Sequence, residues 1–317
     1  MKLGTPLVKL PRQYCPQTLA AEVAALPLAA WLPHPGKLPG NSAVPLITPA
    51  GEVSDGFSGP MAPTDALRQC PYIMEILADL GAVWGRSRLM GLAPGAVVPE
   101  HVDVGYYWRT HIRIHIPIVT NPKVAFSCDA ETVYMAPGEC WLFDSFCIHN
   151  VRNDGDAKRV HLVLDTVGGE KLWAMIADAK RFGRDGQPAQ TVAPGSVGER
   201  PLAYEQVNLP TIMSVWEIRC HIDYLLQQCA ATPARDAIAA RLEQFANAWG
   251  ALWAQYGTDV AGLTAYRHLI EQVQRDLQRL EAQRLLLEGN DVPLDRALAE
   301  LIFMVAAPGS SPARATT

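Results

Sequence analysis

Residues 101–118, HVDVGYYWRTHIRIHIPI, hold three of the chain's eight histidines, two arginines and an aspartate beside a run of alternating isoleucines. In an extended chain Ile112, Ile114 and Ile116 fall on one side, and Arg109, His111, Arg113 and His115 on the other. That period of two predicts a strand. Two readings of its polar side follow. In the first, which composition alone favours, the isoleucines face a core and the odd positions face water. In the second, helices cover the isoleucines and the polar side lines a pocket inside a two-sheet structure.

Working outward, residues 83–167 are a series of short β-rich runs, among them VWGRSRLMGL, VAFSC, CWLFD and KRVHLVLDTV. Turn residues such as TNP, APGE and NDGDA separate them, with no helical stretch between. Strands at this spacing predict an antiparallel sandwich or barrel. HNVRNDGDAKRVHLVLD (149–165) reads as a hairpin turning at Asp154-Gly155. A two-residue loop would put Arg159 on the face away from His149. A three-residue loop, with a bulge at Gly155, would place His149, Arg159 and His161 on one face.

Upstream, residues 16–32 have helical apolar spacing, 42–52 read as a strand closed by a turn, and 64–81 as a helix. Thr64 can cap that helix, Cys70-Pro71 breaks it, and Gly81 ends it. Residues 168–204 are rich in Gly, Pro and charge and read as a linker. From 205 onward apolar residues recur at three- and four-residue intervals, predicting four helices packed as a bundle. His221 and His268 lie in those stripes and read as structural. The residues from 309 to 317 read as a mobile tail.

The bulk numbers restrict the function classes. The net charge is −5 and the pI about 5.9, which give no support to nucleic acid or an anionic membrane as partner. No apolar run approaches the roughly 20 residues that cross a bilayer, and the N-terminus lacks a secretory apolar centre. Seven scattered cysteines without a CxxC pair fit reduced thiols in a cytoplasmic protein.

His101 and Asp103 are the first candidate site, because residues i and i+2 of a strand share a face and can converge on one ion. His149 offers a third ligand. Two histidines and one carboxylate leave open coordination positions, the arrangement of non-haem Fe(II) oxygenases. Arg159 is a second candidate.

The pieces RLMGLAPGAVVPEHVD, RIHIPIVTNPKVAF, MAPGECWLFDSFCIHNV and RVHLVLD together resemble the aspartyl/asparaginyl β-hydroxylase family of Fe(II)- and 2-oxoglutarate-dependent dioxygenases. Within it they are most similar in type to bacterial proline hydroxylases, and the likeness reaches over about residues 42–167. It implies a mainly β fold, the double-stranded β-helix or jelly roll of the cupins, over residues 1–167 with N-terminal helices. Residues 168–204 would then connect to a helical domain at 205–308. The resemblance further implies Fe(II) held by His101, Asp103 and His149, with Arg159 binding the 5-carboxylate of 2-oxoglutarate and His115 its 1-carboxylate. Arg113 would contact substrate.

Two departures matter. The animal aspartyl hydroxylase lacks the carboxylate ligand that Asp103 supplies, which points to the bacterial small-substrate branch. A serine that helps hold the cosubstrate there aligns near Met90; Arg86 and Arg88 read either as residues that meet a substrate carboxylate instead or as surface charges, and Arg88 is carried forward as the candidate.

The implied reaction hydroxylates an unactivated C–H bond of an amino acid or similar side chain, of Pro, Asp or Asn type, free or in a peptide. Dioxygen is consumed and 2-oxoglutarate becomes succinate and CO2. Iron binding should weaken as falling pH protonates its histidine ligands. Trp108 and the tyrosines before it read as a lid over substrate or as packing. The C-terminal helices are expected to cap the site, to pair two copies as a homodimer, or both. Two other classes compete: a cupin-like metal protein that binds a small anion without oxygenase chemistry, and a peptide-binding module presented by the helical half.

Overall fold

The computed structural model describes residues 3–34, 36–184, 186–198 and 200–309. The strands are β1 (Leu7–Tyr14), β2 (Leu32–Pro33), β3 (Asn41–Pro49), β4 (Met61–Pro63), β5 (Val83–Leu92), β6 (Val97–His101) and β7 (Ile112–Val119). They continue as β8 (Val124–Cys128), β9 (Glu131–Val133), β10 (Glu139–Phe143), β11 (His149–Asn153), β12 (Arg159–Gly168), β13 (Gln190–Val192) and β14 (Ala203–Tyr204). The helices are α1 (Pro16–Ala25), α2 (Asp65–Arg68), α3 (Pro71–Leu80), α4 (Tyr106–Thr110), α5 (Glu170–Phe182), α6 (Val215–Leu226), α7 (Pro233–Tyr256), α8 (Leu263–Arg279) and α9 (Leu294–Leu298). None is long and apolar enough to cross a membrane.

Contacts divide the chain into two compact units. The first holds the segments 3–101 and 110–208, the second the segments 102–109 and 209–309. In the first unit, β5, β12, β7 and β10 form the centre of a large sheet, extended by β3 and β2 on one side and β1 and β13 on the other. β6, β11, β8 and β9 form a small sheet. From β5 to β12 successive strands pass between the two sheets, except that β8 and β9 are neighbours in the small one. This alternation is the jelly roll.

The strand 112–119 keeps its alternation, but the reading that composition favours for its polar side is corrected. Ile112, Ile114, Ile116 and Ile118 pack in a core with Leu19 and Val23 of α1, Ile73, Ile76 and Leu77 of α3, and Leu172 and Ile176 of α5. Helices therefore cover the isoleucine side. The opposite side faces into the sandwich, where His115 is only 6% exposed and lies 5.3 Å from the rings of both Phe126 and Phe143. Water is excluded there by the second sheet, which one strand's pattern does not report.

The predicted hairpin at 149–165 is likewise corrected. β11 pairs with β6 and β8 in the small sheet, β12 with β5 and β7 in the large one. The segment 154–158 crosses between sheets, so loop parity has no bearing on Arg159. Asn153, fully buried, ties the crossing down: its Nδ2 donates to the carbonyls of Leu92, Ala93 and Ala157, and its Oδ1 accepts from Gly155 N.

The helix expected at 64–81 forms as two pieces. Thr64 Oγ1 accepts from Leu67 N at 3.3 Å, Pro71 starts α3, and Gly81 ends it at φ +64°, a conformation that costs glycine little. The stretch 168–204 is not a plain linker. It contains α5, whose Leu172, Met175 and Ile176 are buried, and β13, which adds to β1 in parallel. Its Gly and Pro residues lie mostly after the helix, and they masked the apolar spacing of LWAMIADA. The tail from 310 to 317 lies outside the described residues.

In the second unit α6, α7, α8 and α9 enclose Ile218, Leu242, Phe245, Trp249, Tyr266 and Leu301. Trp249 Nε1 donates to Met213 O at 2.8 Å, satisfying the polar edge of a fully buried indole. Ser214 and Thr232 cap α6 and α7.

Candidate active site

Strand register sets out the inward face of the large sheet in rows. Arg159 stands opposite Leu92, and His161 lies between Met90 and Pro117. Val163 lies between Arg88 and His115, with Trp141 beyond. Asp165 is opposite Arg113, with Phe143 beyond. Alternation along β12 thus puts Arg159, His161 and Asp165 on the side away from Val160, Leu162 and Leu164, which join the helix-covered core.

On the small sheet His149 pairs with His101, their ring centroids 4.1 Å apart. His101 Nδ1 lies 2.8 Å from Pro99 O, and His149 Nδ1 lies 3.0 Å from Cys147 O. A carbonyl only accepts, so each Nδ1 carries the proton and each Nε2 keeps its lone pair for a metal. One ligand atom each from His101, Asp103 and His149 lies within 4.8 Å of the others. This donor set fits a divalent ion such as Fe(II), with coordination positions to spare.

Arg159 is 4% exposed, and burial pushes its pKa down to about 9. Its Nη2 lies 2.7 Å from His161 Nδ1, its Nε meets no acceptor, and no carboxylate pairs with it among the described residues. His115 Nδ1 and His161 Nε2 are also buried without a hydrogen-bond partner among the described residues. A buried guanidinium whose acceptor among the described residues is a neutral imidazole nitrogen is a poor structural element and a good anion site. The residues therefore fit a carboxylate-bearing cosubstrate such as 2-oxoglutarate.

His115 and His161 are held well below the usual histidine pKa, by burial first and by the Arg159 charge second. Their unfolded forms take up protons as pH drops past about 6.5 while the folded forms do not. Folding stability contributed by their neutrality is thus complete above that pH and lost progressively below it. Each group adds up to about 1.4 kcal/mol of loss per pH unit. Urea midpoints at pH 7.5, 6.5 and 5.5 are expected to decline in that order; a flat profile would contradict the assignment.

A second cluster adjoins. Asp165, 1% exposed, accepts from Arg113 Nε at 2.9 Å and lies 3.8 Å from Arg86 Nε. Arg86 stacks 3.7 Å over the Phe57 ring, with Nη1 3.3 Å from Asp55 O. Burial, then Arg86 and Arg113, press the pKa of Arg88 down to about 9. His34 is pressed to about 4 by burial and then by Arg88, Arg86 and Arg113, so a neutral imidazole belongs to this neighbourhood. Sequence reasoning missed Asp165, although its parity with Arg159 and His161 would have found it. Phe57 and His34 carry no such signal, because loop residues have no register.

Of the polar run 109–115, only Arg113 and His115 belong to a strand. Residues 106–110 are the short helix α4, which takes Arg109 out of the predicted strand face. Within the second unit, Tyr106 Oη donates to Glu217 Oε1 at 2.6 Å and Arg109 lies 4.0 Å over the Tyr224 ring. The ring of Trp108 meets that of Tyr107 edge-on at 4.9 Å.

His111, 1% exposed, has its Nε2 2.8 Å from Glu205 Oε1. Glu205 N donates to Trp84 O, and Glu205 O accepts from Met61 N, so His111 pins the 203–208 segment to the sheet. Replacing it with Leu deprives a buried carboxylate of this partner. The His111→Leu protein is expected to lose about 1–3 kcal/mol by urea titration and to keep its metal affinity. A loss of metal binding instead would move His111 into the site.

Relatives of this region are known. Residues 58–168 match the family model for Aspartyl/Asparaginyl beta-hydroxylase. This stretch is an aspartyl/asparaginyl β-hydroxylase-family domain. It contains His101, Asp103, His149, Arg159 and every row described above. An L-proline cis-4-hydroxylase of Rhizobium meliloti (strain 1021) is 25% identical over 111 residues, 34% of this chain and 39% of that relative. The aligned part is thus well under half of that relative's length. Among solved structures, a 2OG-Fe(II) oxygenase family oxidoreductase from Burkholderia pseudomallei is similar with a TM-score of 0.35 and 12% identity. That likeness covers 49% of this chain and 80% of the other. A prolyl hydroxylase from Trichoplax adhaerens, solved with a hypoxia inducible factor oxygen degradation domain peptide, gives a TM-score of 0.36 and 11% identity. It covers 50% of this chain and 81% of its own.

Proposed function

We propose that the protein is an Fe(II)- and 2-oxoglutarate-dependent dioxygenase that hydroxylates an unactivated C–H bond of an amino acid or amino-acid-like side chain, of Pro, Asp or Asn type. The observation that carries this reading is Arg159: a buried cation without a carboxylate partner among the described residues, in a chain that also brings His101, Asp103 and His149 together. The bound iron and 2-oxoglutarate would supply the oxidising chemistry, with O2 consumed and succinate and CO2 released.

The chain's own residues have separable tasks. His101, Asp103 and His149 hold the metal, their imidazoles aimed by the carbonyls of Pro99 and Cys147. Arg159 holds the distal carboxylate of the keto acid and His115 its metal-side end. Arg88 and Arg113 take a substrate carboxylate, with Asp165 orienting Arg113 through the 2.9 Å contact. Trp108 closes over the substrate. Phe126 and Phe143, buried beside His115, exclude water from the reacting centre. Pairing of two copies through the C-terminal helices and a cytoplasmic location belong to the same proposal.

The test is an anaerobic mixture of protein, Fe(II) and 2-oxoglutarate with L-proline, L-aspartate, L-asparagine and short peptides in turn, opened to air and assayed for succinate. Succinate that rises with one substrate and requires both Fe(II) and 2-oxoglutarate supports the reading. Metal-dependent binding of small anions without any succinate would instead favour the cupin-like binding protein.

A further inference from the structure

Arg159 and His161 stand two residues apart on the inward face of β12, and their contact fixes more than Arg159's position. A guanidinium can only donate, so His161 Nδ1, 2.7 Å from Arg159 Nη2, must be the acceptor and carry no proton. Burial and the neighbouring Arg159 and His115 keep the imidazole neutral. A neutral ring with a bare Nδ1 has its proton on Nε2. That Nε2–H lies in a residue 1% exposed, and no acceptor reaches it among the described residues. Arg159 Nε is a second buried donor without an acceptor. Two unmatched donors, locked to each other and facing the interior of the sandwich, call for one ligand bearing at least two acceptor oxygens.

We infer that His161 is a second cosubstrate-binding residue, its Nε2–H donating to the same distal carboxylate that Arg159 holds. This rests on the oxygenase reading and adds a residue to it. Its consequence is selectivity by length and charge. Two donors at the far end of the pocket discriminate a keto acid with a distal carboxylate from one ending in a methyl group. Arg159 alone would do so less sharply.

The experiment measures binding, without turnover, of 2-oxoglutarate and of 2-oxobutanoate, which lacks the distal carboxylate, to the Mn(II)-loaded full chain by anaerobic calorimetry. The quantity compared is the ratio of the two affinities within each protein, which cancels general damage to the fold. His161→Leu is expected to lower that ratio about ten- to a hundredfold, as for one hydrogen bond to a charged group, while leaving 2-oxobutanoate binding unchanged. His161→Gln, whose amide can place a donor near Nε2, should restore most of it. His161→Asn, which keeps an acceptor near Nδ1 for Arg159 but no donor at Nε2, should not. Rescue by Asn and not by Gln would reduce His161 to a positioning residue and overturn the inference, as would an unchanged ratio in His161→Leu. If the wild-type protein binds no 2-oxoglutarate, the oxygenase reading itself fails and the inference falls with it.

Discussion

His149→Ala is expected to abolish Fe(II)- and 2-oxoglutarate-dependent succinate formation and to weaken binding of Fe(II) or Mn(II) by more than a hundredfold. The size follows from what the side chain does. Losing only an outer hydrogen bond to a metal-bound imidazole costs roughly 10–100-fold in affinity or activity, and here the ligand itself goes. His149 also lies against His101, the two rings tilted and 4.1 Å apart between centroids, so its removal loosens the orientation of the neighbouring ligand. The residue is 4% exposed and packs 4.7 Å from the Phe143 ring, so Ala leaves a cavity as well. A fold change is separated from a metal change by also making His149→Gln, which fills most of the space without imidazole coordination. Isothermal titration with Mn(II) and the succinate assay should fail together in both variants. Persistent turnover in either would remove His149 from the ligand set.

How far the sequence reached is clearest at three places. The spacing of His101 and Asp103 suggested a common ion through a strand's period of two, but β6 ends at His101 and Asp103 lies in the segment after it, so the two ligands come together without that period. His149 could be proposed only as a third ligand of the right type. The structure places its ligand atom with theirs, by a register across β6 and β11 that no local pattern encodes. The role of Arg159 followed from the resemblance, and the condition of hairpin parity placed on it does not hold. The argument from hairpin parity assumed that strands adjacent in sequence pair with each other, and the jelly roll sends β11 and β12 to different sheets. Its orientation comes from alternation along β12 alone, the same rule that makes Asp165 a partner of Arg113. Whether the polar side of β7 meets water was likewise undecidable from one strand. It depends on α1, α3 and α5 arriving on the isoleucine side from distant parts of the chain. His111 shows the limit in the other direction: the most conspicuous histidine of the run is a structural partner of Glu205, ninety-four positions away.

Arg159→Met is expected to separate stability from function. For binding, the variant removes a charge-assisted, desolvated contact to a carboxylate. Truncating one member of such a pair costs about 2–5 kcal/mol, so 2-oxoglutarate affinity should drop by roughly thirty- to several-thousandfold. Metal binding should change little, because none of the three ligands is altered. For folding the sign reverses. In the absence of ligand Arg159 is a buried cation whose one hydrogen-bond partner among the described residues is a neutral imidazole, and burial alone pushes its pKa down to about 9. An unpaired buried charge is paid for by the rest of the fold, and apolar replacement of buried charge is often neutral or stabilising by about 1–4 kcal/mol. Methionine matches the length of the arginine stem and adapts to irregular space, while His161 Nδ1 loses a donor and offsets part of the gain. The ligand-free Arg159→Met protein should therefore unfold at the same or a higher urea concentration than wild type, yet fail to be stabilised by millimolar 2-oxoglutarate in the presence of Mn(II). A variant both destabilised and still stabilised by 2-oxoglutarate would mean that the guanidinium serves the fold and not the cosubstrate.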